Sequence, residues 1–141
     1  WKGALFYLRP YHNIDVMTLT DPANSAVVTL SSLQPGDLIR TRGGKHVLLV
    51  SRTERDGKGG LLSFSYVHSS QAFGDESGVR EGTVTIIDPQ LPLEQQEWDE
   101  VWKGRRPTLE GWMEHREKNE IFRLNALSEI TNSKSQITNN T

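Results

Sequence analysis

Polar and apolar positions alternate with a period of two through the middle of the chain. After the turn signal Gln34-Pro35-Gly36, residues 37–42 and 46–51 read as two short strands around a turn at Gly43-Gly44. A charged, glycine-rich connection over 52–60 leads into 61–68, Leu-Leu-Ser-Phe-Ser-Tyr-Val-His, whose alternation marks a half-buried strand. Residues 82–87 make a further strand, and residues 120–124 look like a closing one.

The flanks follow other rules. Residues 1–9 put Ala4, Leu5 and Leu8 at helical spacing before Pro10, which suits the last turns of a helix. Residues 11–34 are mostly polar loop, with one edge strand around 26–30. Beyond Asp88-Pro89 the period moves to 3.6: Trp98, Val101 and Trp102, then Leu109, Trp112 and Met113, predict two short helices, the second capped by Thr108. The segment 128–141 is almost all small polar residues and reads as a disordered tail, which leaves 1–127 as a single domain.

Composition narrows the function classes. A length of 141 residues, 35% of them apolar and 24% charged, supports one core, and a formal charge of -2 gives no positive field for a polyanion, so no nucleic-acid partner is expected. No run approaches the roughly 18 to 20 apolar residues of a membrane span. Cysteine is absent, which excludes disulfides, thiolate metal sites and a cysteine nucleophile within these residues. The chain opens on Trp1-Lys2-Gly3, and the expectation is a fragment or processed product with chain missing upstream.

Of four histidines, two share a geometric relation. A hairpin of 46–51 with 61–68, turning about Gly57, sets His46 opposite His68, and opposed Cβ atoms lie roughly 4.5 to 5.5 Å apart. The same face would carry Leu48, Val50, Leu62, Phe64 and Tyr66, so the pair would close an apolar surface able to tune imidazole basicity. The pattern suits two merely hydrogen-bonded strand-end histidines as well, and a bulge or one-residue slip would part the rings. Asp37 reads as a turn residue, and Ser69 and Ser70 as poor nucleophiles. Glu94, Glu97, Asp99 and Glu100 read as a solvated helical face, and Lys103, Arg105 and Arg106 as loop surface. His12 and His115 have no partner by spacing, so neither metal nor cofactor is expected.

The phrases Leu33-Gln34-Pro35-Gly36-Asp37-Leu38-Ile39, His46-Val47-Leu48-Leu49-Val50-Ser51, Tyr66-Val67-His68-Ser69-Ser70 and Gly78-Val79-Arg80 occur in an order that resembles the NlpC/P60 family of papain-like cell-wall peptidases. The match covers about residues 33–87, with Phe122-Arg123 also similar to a family habit. The resemblance implies an α+β fold, a papain-like antiparallel sheet with helices packed on it. It implies His46 as catalytic base and His68 as the residue that orients it, with a cysteine nucleophile shortly before Trp1. The implied substrate is an amide bond in the peptide stem of peptidoglycan, and the implied location is extracellular or periplasmic. The literal lack of cysteine keeps open a non-catalytic binding module of the same family; less favoured is a related fold acting on lipid or protein amides.

Overall fold

The computed structural model describes residues 15–71, 73–114 and 118–127. The helix expected over 1–9, His12, His115 and the tail expected over 128–141 lie outside them. In chain order the elements are a single-turn helix α1 (Val16–Leu19) and strands β1 (Ser25–Val28), β2 (Leu38–Thr41), β3 (His46–Arg55), β4 (Leu61–Ser70), β5 (Gly78–Thr85), β6 (Glu97–Trp98) and β7 (Glu120–Leu124). They form one seven-stranded sheet in the order β1-β7-β2-β3-β4-β5-β6, antiparallel at every pairing.

This architecture corrects the α+β, papain-like expectation: the described residues are dominated by one antiparallel sheet, and their helical pieces are short. Beside α1 there are 3-10 turns and a π-helical turn at Leu109–Met113. The physical reason lies in the segment after Asp88. Its apolar residues looked helical at Trp98, Val101 and Trp102, but burial there alternates with period two. Trp98 and Glu100 point inward, while Glu97, Asp99 and Val101 face out, Val101 at 62% exposure. Trp98 pairs with Val84 as part of β6, and the Asp99 N–H donates to the Thr83 carbonyl at 2.9 Å. The second expected helix survives as the π-helical turn, whose Leu109 and Met113 are buried.

One face of the sheet carries the core. Ile39, Leu48, Val50, Phe64, Tyr66 and Val84 are buried there, and Trp98, Leu93, Leu109 and Met113 close over them. Gly82, opposite Tyr66, has a specific reason to be glycine, because a Cβ at that position would sit 2.3 Å from the Tyr66 hydroxyl. The missing side chain lets the tyrosine ring lie across β5.

The β3–β4 ladder departs from a regular hairpin at two places. Val50 pairs with Tyr66 but Arg52 pairs with Ser65, so β3 holds an extra residue at Ser51; Glu54 pairs with Ser63 but Arg55 with Leu61, so β4 holds one at Leu62. One bulge on each strand cancels the other, and the parity of the register is restored at the His46 end. The local cost is a change of face. Leu61 is buried, and Leu62, expected in the core row, is 50% exposed.

Strand β7 slots between β1 and β2 and brings Arg123 to Asp37, which is fully buried just before β2. Arg123 donates from Nε to Oδ1 and from Nη2 to Oδ2, each at 2.8 Å, and the Gln34 N–H donates to Oδ2 at 2.8 Å. A forked guanidinium matches a carboxylate in both geometry and charge. Truncation of Arg123 strands the buried carboxylate, so Arg123→Ala is expected to cost about 3 kcal/mol of stability. Urea denaturation checks this, and a loss well under 1 kcal/mol would mean that water replaces the pair without penalty.

Candidate functional site

His46 opens β3 and His68 lies near the end of β4, so the ladder register decides whether they meet. With Val50 opposite Tyr66, the register carried along the strands sets Leu48 opposite His68 and His46 two positions further on. The histidines are diagonal neighbours, not the directly opposed pair the sequence predicts. A two-residue offset keeps both on the core face, and diagonal positions remain within reach of ring side chains. The rings close the gap: His46 Nε2 lies 2.8 Å from His68 Nδ1, with ring centroids 5.1 Å apart and planes at 76°.

Three groups to which the sequence gives other roles complete the cluster. Glu100 continues the inward face of β6 and is buried. Its Oε2 accepts from the Tyr66 hydroxyl at 2.9 Å and from the hydroxyl of Thr108, while its Oε1 is 3.4 Å from His68 Nε2. Thr108 Oγ1 is also 3.2 Å from His68 Nε2. Thr108 makes no side-chain capping bond to the turn that follows it, as the sequence predicts it would. It is a buried link between Glu100 and His68. Trp112, from the π-helical turn, stacks on His46 with centroids 4.0 Å apart and planes at 18°. The signal for Glu100 was present as the alternation Trp98-x-Glu100, overridden by the helical spacing of the tryptophans. Nothing in the local sequence marks Thr108 or Trp112 for the site.

The two histidines sit in unlike surroundings. The His68 side chain is fully buried, with Tyr66 and Phe73 rings set edge-on to it. His46 is partly buried beneath Trp112, and burial first, then the neighbouring His68, lowers its pKa from 6.5 to about 4. The imidazole is therefore neutral at neutral pH and carries a lone pair. Among the described residues no hydrogen bond reaches His46 Nδ1. Burial and the adjacent Glu100 push the Tyr66 phenol up, so Tyr66 keeps its proton and acts as a donor.

The remaining sequence candidates fall outside this cluster. Asp37 is taken up by Arg123. Ser69 is exposed, and the buried Ser70 oxygen accepts from the Trp112 indole N–H at 3.4 Å. The acidic residues do not share a helical face: Glu94 lies in a 3-10 turn, Glu97 in β6, and Glu100 turns inward. Lys103 lies over the Trp102 ring, and Arg105 pairs with Glu110. Among the described residues no group of three or more His, Asp or Glu could hold a metal ion. No helix among those residues is long and apolar enough to cross a membrane.

Two predictions follow from the His46 environment. Trp112→Ala removes the ring that covers His46, so its pKa is expected to climb from about 4 towards 6.5; an NMR titration of the His46 ring protons reads this, and an unmoved midpoint would assign the burial to other groups. The second concerns stability. As pH falls, the unfolded imidazole takes a proton at 6.5 and the folded one only near 4, so the stability tied to neutral His46 is whole above 6.5 and is lost progressively down to about 4. Urea midpoints should fall less over that window in His46→Asn than in the unaltered chain. Comparison with family models, with curated proteins and with solved structures finds no match to this chain.

Proposed function

We propose that this chain supplies the general base of a cysteine-dependent hydrolase that cleaves amide bonds in peptidoglycan stem peptides, as its phrases similar to the NlpC/P60 family suggest. The observation that carries the reading is the 2.8 Å contact between His46 Nε2 and His68 Nδ1 at the end of an apolar sheet face. It supports a base, His46, held in place by a second imidazole, His68, with Nδ1 of His46 left for a nucleophile. None of the 141 residues is a cysteine, so the thiol would come from chain outside this sequence.

The chemistry follows from the surroundings of His46. A thiol beside Nδ1 gives up its proton to the imidazole, and the thiolate attacks the carbonyl carbon of the scissile amide. An imidazole that titrates near 4 on its own is a weak base, but an adjacent thiolate favours its charged form and raises that value, so thiol and imidazole titrate as a pair. The imidazolium then protonates the leaving amine, and water hydrolyses the acyl-enzyme. Trp112 shields one face of the ring from solvent and limits the orientations in which it can serve. A substrate in the bacterial wall implies an extracellular or periplasmic location.

The absence of cysteine favours a second reading, a module that binds stem peptides without cleaving them. Both are tested on the full-length protein in which this chain occurs. Hydrolysis of muropeptides that falls by about 10²-fold or more in His46→Ala, with the fold retained by circular dichroism, supports the enzyme. Undiminished turnover in that variant removes His46 from the mechanism. Saturable muropeptide binding with no turnover in the unaltered protein supports the module.

A further inference from the structure

Glu100, buried at the far end of the cluster, touches neither the face of His46 that would meet a substrate nor any part of the proposed reaction. We infer that Glu100 is a positioning residue that fixes the tautomers of both imidazoles through a chain of hydrogen bonds, Glu100 to His68 to His46, and so makes Nδ1 of His46 the nitrogen with the free lone pair.

The argument is a count of protons. Tyr66 and Thr108 each have one hydroxyl hydrogen, and both hydroxyls converge on Oε2 of Glu100. With its hydrogen committed there, Thr108 Oγ1 can only accept from His68 Nε2 at 3.2 Å, and Glu100 Oε1 accepts from the same nitrogen at 3.4 Å. Both arms are long, as for one proton shared by two acceptors. His68 Nε2 therefore carries hydrogen, and with a single N–H on that ring Nδ1 is left as an acceptor. The only hydrogen available to the 2.8 Å contact is then on His46 Nε2, and His46 Nδ1 is bare. With one N–H on each ring, this assignment alone satisfies every contact. A proton on His46 Nδ1 would then oppose two lone pairs across that contact or require a donor where Glu100 and Thr108 offer acceptors; it fits only a doubly protonated His68, which would donate from both nitrogens.

Glu100→Gln reverses the pattern. The carboxamide oxygen must take the position that receives the Tyr66 and Thr108 hydroxyls, so the amide nitrogen faces His68 Nε2 and donates to it. The hydrogen of His68 moves to Nδ1, His46 Nε2 becomes the acceptor, and the hydrogen of His46 moves to Nδ1. The ring keeps its place and loses its outward lone pair. Glu100→Asp keeps an acceptor at the same end of the chain and should keep the original tautomers.

Long-range proton–nitrogen correlation spectra of the ¹⁵N-histidine-labelled chain at pH 7 read which ring nitrogen is protonated, with no substrate. The expected result is Nε2–H on both rings in the unaltered chain and in Glu100→Asp, and Nδ1–H on both in Glu100→Gln. Nδ1–H on His46 in the unaltered chain overturns the inference, and that measurement stands even if Glu100→Gln does not fold. Unchanged tautomers in a folded Glu100→Gln, or reversed ones in Glu100→Asp, overturn it as well. The kinetic consequence rests on the hydrolase reading: kcat for muropeptides should fall about 10²-fold in Glu100→Gln with KM little changed, and Glu100→Asp should restore much of it. Failure of any turnover in the unaltered protein would count against the hydrolase and leave the tautomer result untouched.

Discussion

A carboxylate buried away from solvent must be met by donors, and at Glu100 that requirement organises everything around it. An unpaired charge in such a place is too costly to persist, so the fold delivers Tyr66 from β4, Thr108 from the segment before the π-helical turn, and the edge of His68. Each of these groups is buried, Tyr66 and His68 on the one strand β4 and Thr108 forty positions beyond His68. The result is a polar cluster inside an apolar sheet face, ordered because its acceptors and donors balance.

That cluster depends in turn on the β3–β4 ladder. A single bulge between the turn and the histidines would have moved one ring to the opposite face of the sheet. Two bulges, at Ser51 and Leu62, restore the parity and leave His46 and His68 on the same side, offset by two positions. Gly82 contributes by absence, since only a residue without a Cβ leaves room for the Tyr66 hydroxyl on its way to Glu100. The site is thus set by backbone irregularities several residues distant from it.

The two ends of the relay have different characters. At the buried end, His68 has neighbours on both ring nitrogens and rings against its edges, which suits a group that passes orientation along. At the outer end, His46 has one nitrogen committed and one face covered by Trp112, whose indole is itself tethered to Ser70. The same stacking that orients the ring also keeps it neutral, because a protonated imidazole beneath an indole and beside a second histidine has little to solvate it. Position and protonation state have a common cause.

The sequence alone determined the β3–β4 hairpin and the closing strand, because period-two burial is a local property that alternating side chains write directly into the chain; that His46 and His68 share a face rests on two compensating bulges that the alternation does not show. It misjudged the segment around Trp98, where apolar residues three and four apart imitate a helix while the backbone is drawn out as a partner for β5. With that helix went the α+β expectation, and with it the reading of Glu100 as one of a solvated acidic set. Tertiary structure alone decided that Glu100, Thr108 and Trp112 converge on the histidines. They come from segments 32, 40 and 42 or more positions beyond β4's half of the site, and contacts at such separation depend on how the sheet is closed over, which no local periodicity encodes.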